Sequence, residues 1–152
     1  MFDTSISAIV ACTDAHLLSK IKRPLLISTI AAGFPSPAEG SIDKVLDLNE
    51  LLVQNPQATF FVRVKGESMQ DAGIFDGDLL VVEKGIRPKH RDIVVAVVDG
   101  EFTVKRWMSQ DSFPYLQAEN PNFPTIDLEK VQDWSIWGVV QFTVHSCSKV
   151  LG

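Results

Sequence analysis

A chain of 152 residues, 45% hydrophobic and 22% charged, is long enough to bury one core and too apolar to be disordered throughout. A formal net charge of −5 excludes a surface that holds nucleic acid mainly by neutralising phosphates, so any link to DNA runs through a partner. The charge is uneven, with +1 on residues 1–33 and −6 on the remainder.

Residues 1–40 show no sustained amphipathic period and read as a mobile arm, with one short helix around Asp14 to Lys20. Lys20, Lys22 and Arg23 precede an apolar run from Leu25 to Phe34, the order found in a secretory signal. The nineteen residues in front and the acid at Asp3 argue against that. Nothing else approaches the ~18 apolar residues of a membrane span. "TIAAGFPSPAEG", Thr29 to Gly40, fits neither strand nor helix. At "DLNELLVQNP", Asp47 and Glu50 have capping-box spacing, Leu48, Leu51 and Leu52 form an apolar stripe, and Asn55-Pro56 stops the helix.

Strands follow. "ATFFVRVKG" alternates around Phe61 to Val64 and ends at Gly66, and "GDLLVVEKG" is a second strand between glycines. "DIVVAVVDGEFTVKRW" sets Asp99-Gly100 between two β-rich runs, a two-residue hairpin whose turn needs positive φ. Its register places Lys105 opposite Val94 and Thr103 opposite Ala96. Trp134 to Val144 supplies one or two more strands. The whole predicts a mostly antiparallel, curved β domain with one short helix.

Cys12 and Cys147 lack metal or CxxC spacing and read as thiols of a reduced, cytoplasmic protein. His16, His90 and His145 are equally scattered, and neither a metal site nor a cofactor follows. Asp76-Gly77-Asp78 reads as a turn, and Glu67, Gln70 and Asp71 as solvated turn residues. Ser68, in Gly66-Glu67-Ser68-Met69, reads by itself as a turn serine, because no histidine offers it a base. Lys105 by itself reads as an edge-strand lysine. With a pKa near 10.4 it is neutral at pH 7 about once in a few thousand molecules, and only burial would make it a base. The apolar alternation of its strand favours Phe102 and Val104 on the opposite face.

Three stretches, "AAGFPSP", "VKGESMQDAGIFDGDLLVV" and "DIVVAVVDGEFTVKRW", resemble the UmuD proteins, self-processing subunits of SOS mutagenesis that share a catalytic domain with LexA-type repressors. The likeness runs from about Ala31 to Val144. It implies a LexA/UmuD-type β domain that cuts its own Ala32–Gly33 bond, with Ser68 as nucleophile and Lys105 as general base. The separations, 35 residues from Gly33 to Ser68 and 37 from Ser68 to Lys105, fit the family pattern. Small residues at Ala31, Ala32 and Gly33 let the backbone lie extended in a cleft, and Pro35 and Pro37 keep the next segment from becoming helical.

The resemblance divides the chain into an arm, 1–33, removed by cleavage, a linker, 34–46, and the peptidase-like domain, 47–152. Thirty-three residues fall short of the ~50 of an independent DNA-binding domain, so the cut is expected to expose or rearrange a binding surface. By the same resemblance, a RecA filament on single-stranded DNA promotes cleavage, and the shortened homodimer joins a UmuC-type polymerase in error-prone translesion synthesis. Two other readings stand beside this one: a non-catalytic dimeric binding module, and a signal peptidase-like enzyme acting on other proteins.

Overall fold

The computed structural model describes residues 9–11, 22–26, 32–33, 42–110 and 113–148. The chain divides into two units, one of Met1–Thr13 with Asn55–Gly152, the other of Asp14–Gln54. The helix expected around Asp14 to Lys20 lies outside the described residues. Mostly antiparallel β structure with a single short α-helix is what the described residues form, as the sequence predicts.

In the larger unit, β4 (Thr59–Arg63) and β5 (Leu79–Glu83) pair antiparallel, and the long turn between them carries Ser68. β6 (Ile93–Val98) and β7 (Glu101–Met108) form the hairpin. Asp99 at φ 48° and Gly100 at φ 84° give the turn its two positive-φ positions, and Val94 lies opposite Lys105 and Ala96 opposite Thr103, as the sequence register requires. The Asp99 carboxylate also accepts the N–H groups of Gln132 and Asp133, each at 3.0 Å.

Strand β10 (Trp134–Val144) runs between the two hairpins, paired with β5 on one side and β6 on the other. β8 (Tyr115–Gln117) and β9 (Ile126–Asp127) extend the sheet beyond β7. β1 (Ile9–Ala11), which the arm's sequence did not suggest, flanks β4. The strand order is β1-β4-β5-β10-β6-β7-β8-β9.

Apolar side chains fill both faces of this sheet. Val62, Val64, Met69, Leu80, Val82, Val95 and Val104 belong to one cluster; Val94, Ala96, Trp107, Leu116, Leu128 and Val139 form the other. Successive residues of β6 thus serve opposite cores, which explains why "IVVAVV" is apolar without alternation.

In the smaller unit β2 (Lys22–Leu26) pairs antiparallel with β3 (Ile42–Asp47), and α1 (Leu48–Leu52) follows directly. The stretch 34–46 is therefore not all linker. "IDKVLD" has no clean two-residue period, and Pro24 fits a strand only at an edge, so neither strand announces itself. Asp47 caps α1 by accepting the Asn49 N–H at 2.9 Å. The expected apolar stripe is not a buried one, since Leu48 and Leu51 are exposed.

Gly138 sits where β10 slips register against β6. A Cβ there would stand 2.6 Å from Val82 Cγ1 and 3.0 Å from the Glu83 carbonyl oxygen, so the close approach of β10 to β5 needs glycine. Gly138→Ala is expected to cost about 1–3 kcal/mol in urea unfolding. The loss should shrink in a Val82→Ala background, where the nearest clashing atom is gone.

Candidate active site

Ser68 opens the turn that leaves β4, and local bonds hold that turn rigid. The Glu67 carbonyl accepts the Gln70 N–H at 3.2 Å, and the Met69 carbonyl accepts those of Ala72 and Ile74 at 3.0 and 3.2 Å. Met69 and Ile74 are buried in the first core, which anchors both ends of the short 3-10 turn Gln70–Ala72. Farther along, the Asp76 carboxylate accepts the Gly66 N–H at 2.7 Å and that of Asp78 accepts the Phe75 N–H at 2.9 Å. His145, just past β10, meets buried Asp78 at 2.6 Å, so this aspartate is a brace within the turn.

β7 delivers Lys105. Its Nζ lies 2.9 Å from Ser68 Oγ, 2.9 Å from Thr103 Oγ1 and 3.1 Å from the Val104 carbonyl oxygen, so an ammonium donates to three acceptors. Ser68 is 1% exposed, Lys105 4% and Thr103 5%. Although Val104 occupies the apolar face of β7, Lys105 on the other face is equally enclosed, because that face too is covered by a core. Desolvation lowers the Lys105 pKa from 10.5 to about 8. Roughly one molecule in ten then carries a neutral amine at pH 7.

The structure thus brings Ser68 and Lys105 into contact. Ala32 and Gly33 are exposed and belong to the Asp14–Gln54 unit, whereas the serine and the lysine belong to the larger one. Cys12 and His16 lie outside the described residues. Cys147 is an exposed free thiol, and His90 Nδ1 accepts the Ser109 N–H at 3.1 Å. Among the described residues no group of three metal-ligating side chains gathers, and no helix is long and apolar enough to cross a membrane.

Sequence reasoning set Thr103 on the Lys105 face but gave it no part; the two-residue spacing on one strand face was the available signal. It missed Glu119 and Asn120 altogether. The Glu119 N–H donates to the Ser68 carbonyl at 2.9 Å, and Asn120 Nδ2 donates to the Glu67 carbonyl at 2.9 Å. No local motif marks either residue, because they reach the turn across 51 to 53 positions of chain.

An antiparallel β domain in which a serine hydroxyl meets a buried lysine amine points to the Ser-Lys serine peptidases as a class. Residues 24–141 match the family model described as Peptidase S24-like, and the chain belongs to that family. It is 46% identical over 125 residues to Protein ImpA of Salmonella typhimurium, covering 81% of this chain and 83% of that protein. Against Protein MucA of Escherichia coli it is 46% identical over 121 residues, 77% of this chain and 80% of the other. A LexA repressor from Clostridium kluyveri is 44% identical over 101 residues, 66% of this chain but 50% of the repressor. ImpA and MucA are UmuD-family homologues, so the likeness read from three short motifs extends over most of the chain.

Isotope-labelled lysine NMR should show one side chain titrating near pH 8, missing in Lys105→Arg and moved lower in Thr103→Val, where an acceptor favouring the charged form is lost. Since the folded pKa lies below the unfolded one, the charged amine destabilises the fold below pH 8. That penalty, on the order of 3 kcal/mol, should fall away as pH rises from about 8 to 10.5. Urea titrations of Thr103→Val and Lys105→Met across that range check the sign, the second variant lacking the rise.

Proposed function

We propose that this protein cuts its own Ala32–Gly33 bond, with Ser68 as nucleophile and Lys105 as general base. The observation that carries the reading is the 2.9 Å contact between Lys105 Nζ and Ser68 Oγ in a site nearly closed to water. A neutral Nζ accepts the hydroxyl proton as Oγ attacks the Ala32 carbonyl carbon. Backbone N–H groups of the Ser68 turn meet the negative charge that develops on the carbonyl oxygen. As the intermediate collapses, the C–N bond breaks, Nζ passes its proton to the Gly33 nitrogen, and a chain beginning at Gly33 is released. Water then gives a proton to Nζ and attacks the Ser68 ester, which frees the Ala32 carboxylate and returns the proton to Oγ.

The leader carries β1 away, so the outer edge of β4 loses its paired strand. An unpaired edge is a natural place for another chain to add. The processed protein, in this reading, is a homodimer serving as accessory subunit of a UmuC-type error-prone translesion polymerase, and a RecA filament on single-stranded DNA promotes the cut. Support comes from the UmuD-type relatives and from an acidic chain that leaves DNA to its partners.

Incubation with activated filament, or at alkaline pH, should yield a fragment whose N-terminal sequence starts at Gly33. Ser68→Ala and Lys105→Ala should each abolish it. The rate should rise about tenfold per pH unit up to pH 8 and level above, following the neutral amine. An intact chain after prolonged incubation under both conditions would reject the reading.

A further inference from the structure

Bringing Oγ to Nζ is only part of the task, because the peptide groups on either side of Ser68 must also be aimed. Both are pinned from outside the turn. The Glu67 carbonyl accepts Asn120 Nδ2 at 2.9 Å, the Ser68 carbonyl accepts the Glu119 N–H at 2.9 Å, and the Glu119 carbonyl in return accepts the Asp71 N–H at 2.8 Å.

No described peptide bond is cis, and in a trans peptide the C=O and N–H point in opposite directions. Holding the Glu67 carbonyl therefore fixes where the Ser68 N–H points on the far side of the same plane. Asn120 is itself held: its Oδ1 accepts the Asn122 N–H at 3.0 Å, and the residue is buried. The strand that carries Lys105 grips the same segment. Arg106, its neighbour on β7, pairs with the Glu119 carboxylate through Nε and donates to the Arg91 carbonyl through Nη1 at 2.7 Å. Successive side chains of a strand point to opposite faces, so β7 reaches Ser68 with Lys105 and the bracing segment with Arg106.

We propose that Asn120 is a positioning residue for the cleavage, aiming the Ser68 backbone and its N–H through the bond to the Glu67 carbonyl. The inference rests on the Ser68–Lys105 reading above. Two substitutions separate this role from a structural one. Asn120→Asp keeps the size and the acceptor for the Asn122 N–H but loses the donor to Glu67, and Asn120→Ala loses both.

In the intact chain, Ser68 reactivity is read as the rate of labelling by a fluorophosphonate and as self-cleavage at alkaline pH. Both variants should slow both reactions roughly 100-fold. The pH midpoint of the Ala variant should stay where it is in the parent chain, and the Asp variant should melt within a few degrees of it. If Asn120 served only the 120–122 turn, Asn120→Asp would react at the parent rate; that result, or a rate loss that merely tracks unfolding of the Asp variant, overturns the proposal. Should the Ala variant fail to fold, the Asp variant decides. A parent chain that neither labels nor cleaves would instead defeat the dyad reading, so the two failures are distinct.

Discussion

One ammonium taken out of water is the constraint around which this domain is organised. Lys105 gains three hydrogen-bond acceptors in exchange for its hydration shell, and burial is what shifts its pKa. Hydroxyl and carbonyl oxygens partly compensate a buried cation but do not neutralise it. The fold therefore holds a group it would more readily keep uncharged, and that preference raises the share of neutral amine near neutral pH. A carboxylate beside it would instead have secured the charge and held the pKa high.

Such a site can be reached only if the sheet is covered on both faces. β7 alternates Val104 into one core and Lys105 towards the other, so neither face is left to solvent. The serine arrives on a turn bound by its own i→i+3 bonds, by Asp76 and Asp78, and by residues 119 and 120 from beyond β8. Rigidity in the turn and dryness around the lysine are separate requirements, met by different parts of the chain. Hydrogen bonds supply the first and apolar packing the second.

Much of this was legible in the sequence where the physics is local. Asp99-Gly100 dictates a two-residue turn, that turn dictates the register, and the register places Thr103 and Lys105 on one strand face opposite Ala96 and Val94. The burial of that face was not legible, because apolar alternation reports which face is more apolar and not whether the other is also covered. The pairing of β2 with β3 was hidden by Pro24 and by polar residues in β3. Likewise, Leu48, Leu51 and Leu52 have the spacing of a core stripe, yet the first two face solvent. The hold of Asn120 on Glu67 is a contact between distant segments, and no spacing rule encodes it.

Strand order sets when the site can assemble. Ser68 belongs to the β4–β5 hairpin and Lys105 to the β6–β7 hairpin, and among the described strands these hairpins pair with each other only through β10, which follows both in the chain. Either hairpin can form early on a growing polypeptide, but the sheet joining them waits for Trp134–Val144, and His145 then reaches Asp78 in the serine turn. Until β10 is in place, a growing chain holds the serine and the lysine on separate hairpins, so their contact is a property of the completed sheet alone.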